Sequence, residues 1–211
     1  MLVQIAQYFA THGSEYVHAV VQHVAITLAA TGAAAVVAVP AGIACSRFPR
    51  VRGFVTGVFS TLRIIPSLAV LFLCISLIGV GEAPAILALA LLAAPPLLIN
   101  TTLGFSRVPG AVLETATGMG MGVARIFFTV KVPLAAPLII AGLKTALVEV
   151  IASATLAAYI GAGGLGTIIF TGLGLLRSDL LMIGGVSVAG LSLVVSALIS
   201  WTEKRLLPWE A

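Results

Sequence analysis

Five long apolar runs constrain this chain more than any other feature. They lie at about Val20–Cys45, within Gly53–Gly81, at Ala83–Phe105, at Pro133–Ile160 and at Leu180–Trp201. Each can supply the ~20 helical residues that cross a bilayer core. In the second run the span is expected at about 57–80, interrupted by Arg63 and Pro66. Period-2 alternation is absent, which argues against a β-barrel. The expectation is an all-α integral membrane protein with about five transmembrane helices. Composition agrees: 60% of residues are hydrophobic and 9% charged, against about 25% charged in a soluble domain. The 211 residues allow one membrane domain and no second globular one.

The charges sit between the runs. The chain carries eleven Lys and Arg and a pI near 9.5, yet no basic stripe or aromatic-interleaved patch, so no nucleic-acid partner is expected. Arg47, Arg50 and Arg52 follow the first run, Arg107, Arg125 and Lys131 lie between the third and fourth, and Lys204 and Arg205 follow the fifth. With five spans these groups share one side, which the positive-inside rule makes cytoplasmic. The expected N-terminus is outside and the C-terminus inside. Only Arg177 among the basic residues falls on the opposite side, and Trp201 and Trp209 fit the inner interface.

Residues 1–17 form an external N-terminal segment in this reading and 203–211 a cytoplasmic tail. Met1–Tyr16 lacks the basic start of a signal peptide, and Gln4–Ala10 is too short to span. Cys45 and Cys74 make no CxxC or metal spacing and read as small buried side chains. His12, His18 and His23 are not accompanied by a set of partner carboxylates or cysteines, so no metal site is expected. No catalytic triad or carboxylate pair stands out.

The segment 106–132 is cytoplasmic by the charge argument but too apolar for a plain linker. Val108-Pro109 suits a helix start. Val108, Val112, Ala116 and Met119 recur at helical spacing. Gly118, Gly120 and Gly122 then break the helix, and a second short stretch, Val123–Val132, is expected to stop at Pro133. On spacing alone this is either an interfacial helix pair on lipid or a dock for a partner.

Here the residues resemble a known family. Glu114-Thr115-Ala116, Gly120 and Val130-Lys131-Val132-Pro133 are similar to the EAA loop of binding-protein-dependent ABC permeases. Thr115, Val130 and Val132 depart conservatively from that pattern. Arg63-Ile64-Ile65-Pro66-Ser67-Leu68-Ala69, Ala94-Pro95-Pro96-Leu97-Leu98-Ile99-Asn100-Thr101 and Ile160-Gly161-Ala162-Gly163-Gly164-Leu165-Gly166 resemble further segments of the same permeases. The resemblance covers about residues 18–202 and is nearest to permeases for glycine betaine, carnitine and choline. It implies a type I ABC importer permease fold shared with methionine-type importers.

The resemblance also implies roles. The loop would be a coupling helix seated in a separate ATPase, with Glu114 bonding to that subunit, Ala116 and Gly120 allowing close approach, and Pro133 ending the loop at the membrane. Two ATP-binding subunits, a second permease (identical or paralogous) and an external substrate-binding protein are implied partners, with the inner membrane as location. No Walker pattern occurs, so ATP and Mg would belong to the partner and no cofactor to this chain. Gly161, Gly163 and Gly166 match G-x-G-x-x-G by letter, but they follow a membrane helix and open no βαβ unit. The loop, with Gly164, reads as a tight re-entrant or gating turn.

Arg63, Lys144 and Glu149 are charges at membrane depth, which normally face protein or water. Arg63 is read as either snorkelling near the inner surface or facing the pathway. Lys144 and Glu149 point about 140° apart on a helix and are poor partners. Thr145, Glu149 and Ser153 share a face that would either line a pathway or bond between helices. With Pro66, Ser67 and Asn100, these are the candidate pathway or gate residues. Amino-acid import, as for methionine, stays open as a second substrate class. So does an ATP-independent carrier, although no internal repeat supports it.

Overall fold

The computed structural model describes residues 2–207, and Trp209 lies outside them. Among the described residues nine α-helices follow in order: α1 (Leu2–Ser46), α2 (Pro49–Leu62), α3 (Ser67–Ile78), α4 (Glu82–Ser106), α5 (Gly110–Gly118), α6 (Val123–Ile126), α7 (Val132–Ala157), α8 (Leu165–Gly174) and α9 (Ser178–Leu206). A π turn, Phe127–Lys131, joins α6 to α7, and a 3₁₀ turn, Ala158–Ile160, follows α7. Among the described residues there is no strand. Helix is the economical state here, because it satisfies every backbone group within its own segment where lipid offers no partner.

The core is a sandwich of α1, α4 and α7. In α1, His23, Ile26, Thr27, Ala30, Thr31, Ala34 and Ala38 are buried, at steps of three and four that share one face. They meet Ala85, Ala88, Leu89 and Leu92 of α4 and Ala146, Val150 and Ala154 of α7. Small residues dominate because, between helices in lipid, close backbone approach is the main source of attraction. A β-carbon on Gly42 would stand 2.8 Å from Thr101, and one on Gly142 2.7 Å from Asn100. The first contact pairs the ends of α1 and α4, and Gln22 meets Glu82 at the other end, so these two helices run parallel.

Residues 20–45, 83–105, 133–160 and 180–201 lie within four continuous helical units, each long and apolar enough to cross a membrane. Three local features differ from the sequence reading. The second span is not straight: α2 and α3 meet at 92°. Pro66 has no N–H to continue the ladder and disfavours helical backbone at Ile65, so Arg63–Ile65 form a turn, with Ile64 N–H bonded to Thr61 and Ile65 N–H to Leu62. Second, the stretch expected to stop at Pro133 does not stop. Val123–Ile160 is one helical unit of 38 residues. Pro133 lies in the first turn of α7, and the π turn before it, closed by Val132 N–H to the Phe127 carbonyl, absorbs the missing donor. Third, Leu165–Gly174 forms a separate helix, α8, too short at about 15 Å to span.

Residues 2–17 are helical too. A non-helical residue, His12, divides this first part of α1 from the span. Ile5, Tyr8 and Tyr16 pack with α8 and α9 around Leu165, Ile168, Leu180 and Ile183, and the Tyr16 hydroxyl bonds Ser187 Oγ at 2.8 Å.

Candidate functional site

The loop between α4 and α7 is built as two helices on a turn. α5 ends in a Schellman motif: Met121 N–H bonds the Ala116 carbonyl and Gly120 N–H the Thr117 carbonyl. Gly120 has φ +76°, the left-handed residue this ending requires. Of the apolar positions Val108, Val112, Ala116 and Met119, only Ala116 is buried. Val112, Met119 and Val123 are exposed, Met119 to 77%. Glu114 is exposed and makes no ion pair or hydrogen bond among the described residues. Thr115 bonds back to the Ala111 carbonyl. Val130 lies in the π turn, half-buried. A groove of about 550 Å³ beside the turn is lined by Arg47, Leu113, Thr117, Val123, Ile126 and Lys131. This surface is apolar, bordered by cations and carries one free carboxylate.

At membrane depth the structure joins two of the candidates. Arg63, in the bend between α2 and α3, donates from Nη2 to Glu149 Oε2 of α7 at 3.4 Å. The two side chains are 43% and 31% exposed. Thr145, exposed, and Ser153, half-buried, flank Glu149 on the same face. Lys144 turns elsewhere, donating to Ser200 Oγ of α9 at 2.8 Å. Asn100 bonds the Pro96 carbonyl of its own helix and packs where α4 touches Gly142, a contact between helices. Pro66 caps α3 and Ser67 begins it, with no side-chain cap.

The glycine loop is sealed. Gly161, Gly163 and Gly164 have φ of +79°, +79° and +78°, a region open to glycine at no steric cost. Gly164 N–H donates to Gln22 Oε1 at 3.0 Å, and Gln22 Nε2 donates to Glu82 Oε1 at 2.6 Å. His23, also in α1, bonds the Ile151 carbonyl from Nε2 at 3.0 Å. Gly166 lies so close to α7 that a β-carbon would overlap the Thr155 carbonyl. Sequence reasoning missed Gln22, His23 and Glu82. The available signal was two adjacent polar residues inside an apolar run. Beside this loop a cavity of about 540 Å³ is lined by Tyr8, Glu15, His18, Gln22, Thr171 and Arg177, among others. Arg177 forks onto Asp179 through Nε and Nη2, which raises its pKa above the ordinary arginine value.

Comparison with known proteins places this geometry. Residues 26–208 match the family described as "Binding-protein-dependent transport system inner membrane component". The chain is 43% identical over 204 residues to the carnitine transport permease protein OpuCB of Listeria monocytogenes, covering 97% of this chain and 94% of that one. It is 38% identical to the choline transport system permease protein OpuBB of Bacillus subtilis, with the same coverage of 97% and 94%. It is 34% identical to the osmoprotectant import permease protein OsmY of Salmonella typhimurium, over 89% of this chain and 80% of that one. Among solved structures, an inward-facing form of the MetNI methionine ABC transporter superposes with a TM-score of 0.74 at 21% identity, covering 93% of this chain and 96% of that one. That likeness is one of fold.

Proposed function

The chain belongs to the family of binding-protein-dependent transport system inner membrane components, and from that premise we propose that it is the permease of an importer for small quaternary-amine osmoprotectants. Relatives named for carnitine and choline transport support this substrate class. The chain is a transport subunit and not itself an enzyme. ATP and Mg are handled by two copies of a separate ATPase subunit. A second permease, identical or paralogous, completes the pathway, and an external binding protein delivers substrate. The N-terminus is outside and the C-terminus in the cytoplasm, so that α5 and the basic loops face the ATPase.

The observation that carries the reading is the α5–α6 turn. It presents Val112, Met119 and Val123 to solvent beside an unpaired Glu114. Burying such side chains stabilises an interface by about 1.5–3 kcal/mol each when complete. Glu114 adds a charge-assisted bond to the docked partner. Thr115, Ala116, Gly120, Val130 and Pro133 shape the dock and its rigid entry into α7. ATP binding favours one geometry of the ATPase pair. A stiff helical unit from Val123 to Ile160 carries that preference into the spans, which then alternate between outward and inward access.

Co-purification in mild detergent, followed by uptake, tests this. The native complex is expected to contain an ATPase subunit, and Glu114→Lys is expected to lose it, together with ATP-driven uptake, while inserting normally. Wild-type uptake by Glu114→Lys would sink the docking role. Purification without any ATPase, under conditions that preserve a known ABC complex, would favour an ATP-independent carrier.

A further inference from the structure

The ion pair of Arg63 and Glu149 joins the bend between α2 and α3 to the middle of α7. Lys144, one and a half turns before Glu149 on α7, ends beside Ser200, next to Trp201. Indoles settle at the membrane interface. In the other direction the helical unit runs to Ile160, on the order of 16 Å beyond Glu149 at the rise of a helix. In a hydrocarbon core about 30 Å thick, Glu149, about 8 Å past Lys144 along the helix, therefore sits inside the core. Charges there are costly unless they face protein or water, yet both side chains are about a third or more exposed on this chain. Thr145 and Ser153 continue a polar face one turn to either side, so that face meets protein or water and not lipid.

The pair is also incompletely satisfied. It consists of one contact at 3.4 Å. The other guanidinium nitrogens and Glu149 Oε1 have no partner among the described residues. Arg177 and Asp179, by contrast, bond through two nitrogens and two oxygens, and Asp179 is buried. A bidentate pair whose carboxylate is buried is built to stay closed, although Arg177 itself is 47% exposed. A single long contact at a backbone bend, with spare donors and a spare acceptor, can exchange partners at little cost.

We propose that this pair is a transfer site for zwitterions, in which Arg63 takes the substrate carboxylate and Glu149 takes its cationic nitrogen. The pair opens as the substrate enters and re-forms behind it, so neither charge is left bare within the membrane. The proposal rests on the osmoprotectant reading and deepens it. Carnitine and glycine betaine carry both charges, whereas choline carries only the cation. Arg63 is then the residue that separates the two substrate types within the membrane, and Glu149 serves both.

The test uses the whole importer, permease with its own ATPase and binding protein, in proteoliposomes, with labelled carnitine, glycine betaine and choline. For Arg63→Gln, uptake of the two zwitterions is expected to fall roughly tenfold or more and that of choline by no more than about threefold. Arg63→Lys keeps the charge and is expected to keep the wild-type preference. Glu149→Gln is expected to depress all three. Assembly of each variant is checked by size-exclusion of the complex. An equal loss for all substrates in Arg63→Gln, or full zwitterion uptake by that variant, overturns the proposal. A wild-type complex that moves none of the three overturns the osmoprotectant reading itself.

Discussion

Two glycine turns end two of this protein's helices, and the local chemistry is the same at both. At Gly120, N–H groups of Met121 and Gly120 return to Ala116 and Thr117; at Gly161, those of Ala162 and Gly161 return to Ala157 and Ala158. Both glycines are left-handed, with φ of +76° and +79°. The surroundings are opposite. Around the first turn, β-carbons added at Gly118, Gly120 or Gly122 would meet nothing within 4 Å. At the second, a β-carbon on Gly161 itself would also meet nothing within 4 Å, but those on the following Gly163, Gly164 and Gly166 would strike Gln22, His23 and the Thr155 backbone. Glycine at the first serves the turn and leaves a surface for a partner. Glycine at the second is where α1, α7 and α8 close on one another. The motif alone does not distinguish a dock from a seal; the empty space beside it does.

The sharpest way to break this comparison is at Gly166. Gly166→Val forces a branched side chain against the Thr155 carbonyl of α7. A flexible neighbour could move aside, but a helix backbone cannot, so α8 must detach. We expect a loss of about 3 kcal/mol or more, seen as little monodisperse protein after detergent extraction. A variant with wild-type yield and melting temperature would show that α8 is not seated where the structure has it. Within the seal, Gln22→Ala is the milder probe. It removes the acceptor of Gly164 N–H and the donor to Glu82. Two hydrogen bonds partly open to solvent predict a loss of about 1–2 kcal/mol, measured by unfolding in mixed micelles. No change there would mean that packing of the glycines alone holds the loop.

The same contrast explains which parts of the molecule could be read in the sequence. The spans were legible because apolar length alone decides them. The left-handed glycines were legible because a turn needs them whatever surrounds it. Pro133 was misread because proline is a stop signal only for an α turn, and the π turn before it removes the conflict. The helix α8 is not foreseen because a mostly apolar stretch of ten residues fits neither a span nor a linker. Pairings between distant segments left no local trace. Gln22 finds Glu82 across 60 residues and Arg63 finds Glu149 across 86. Glu114 was readable as a free carboxylate because no tertiary partner was needed to place it. Asn100 and Lys144 looked like pathway residues by type, yet each is turned to a carbonyl or hydroxyl inside the bundle. A polar residue in a span announces that it needs a partner, and only the packing says which.

The smallest expected effect lies at the dock and bears on it most directly. Gly118 is the last residue of α5, in helical backbone, with open space where a β-carbon would go. Gly118→Ala therefore introduces no clash in the permease. It removes freedom from the unfolded chain, which stabilises by about 0.4–1 kcal/mol at compatible sites. The melting temperature of the isolated permease should be unchanged or slightly higher. In the complex the same methyl group would stand in the surface proposed to meet the ATPase, and binding should weaken. Melting of the permease alone and ATPase retention on an affinity column would be compared for this one variant. A gain in the first with a loss in the second is the signature of a surface shaped for a partner. A fall in the melting temperature would mean that the turn is packed within the permease, and the distinction between dock and seal would fail. Unchanged ATPase retention would place the interface elsewhere on the basic end of the bundle.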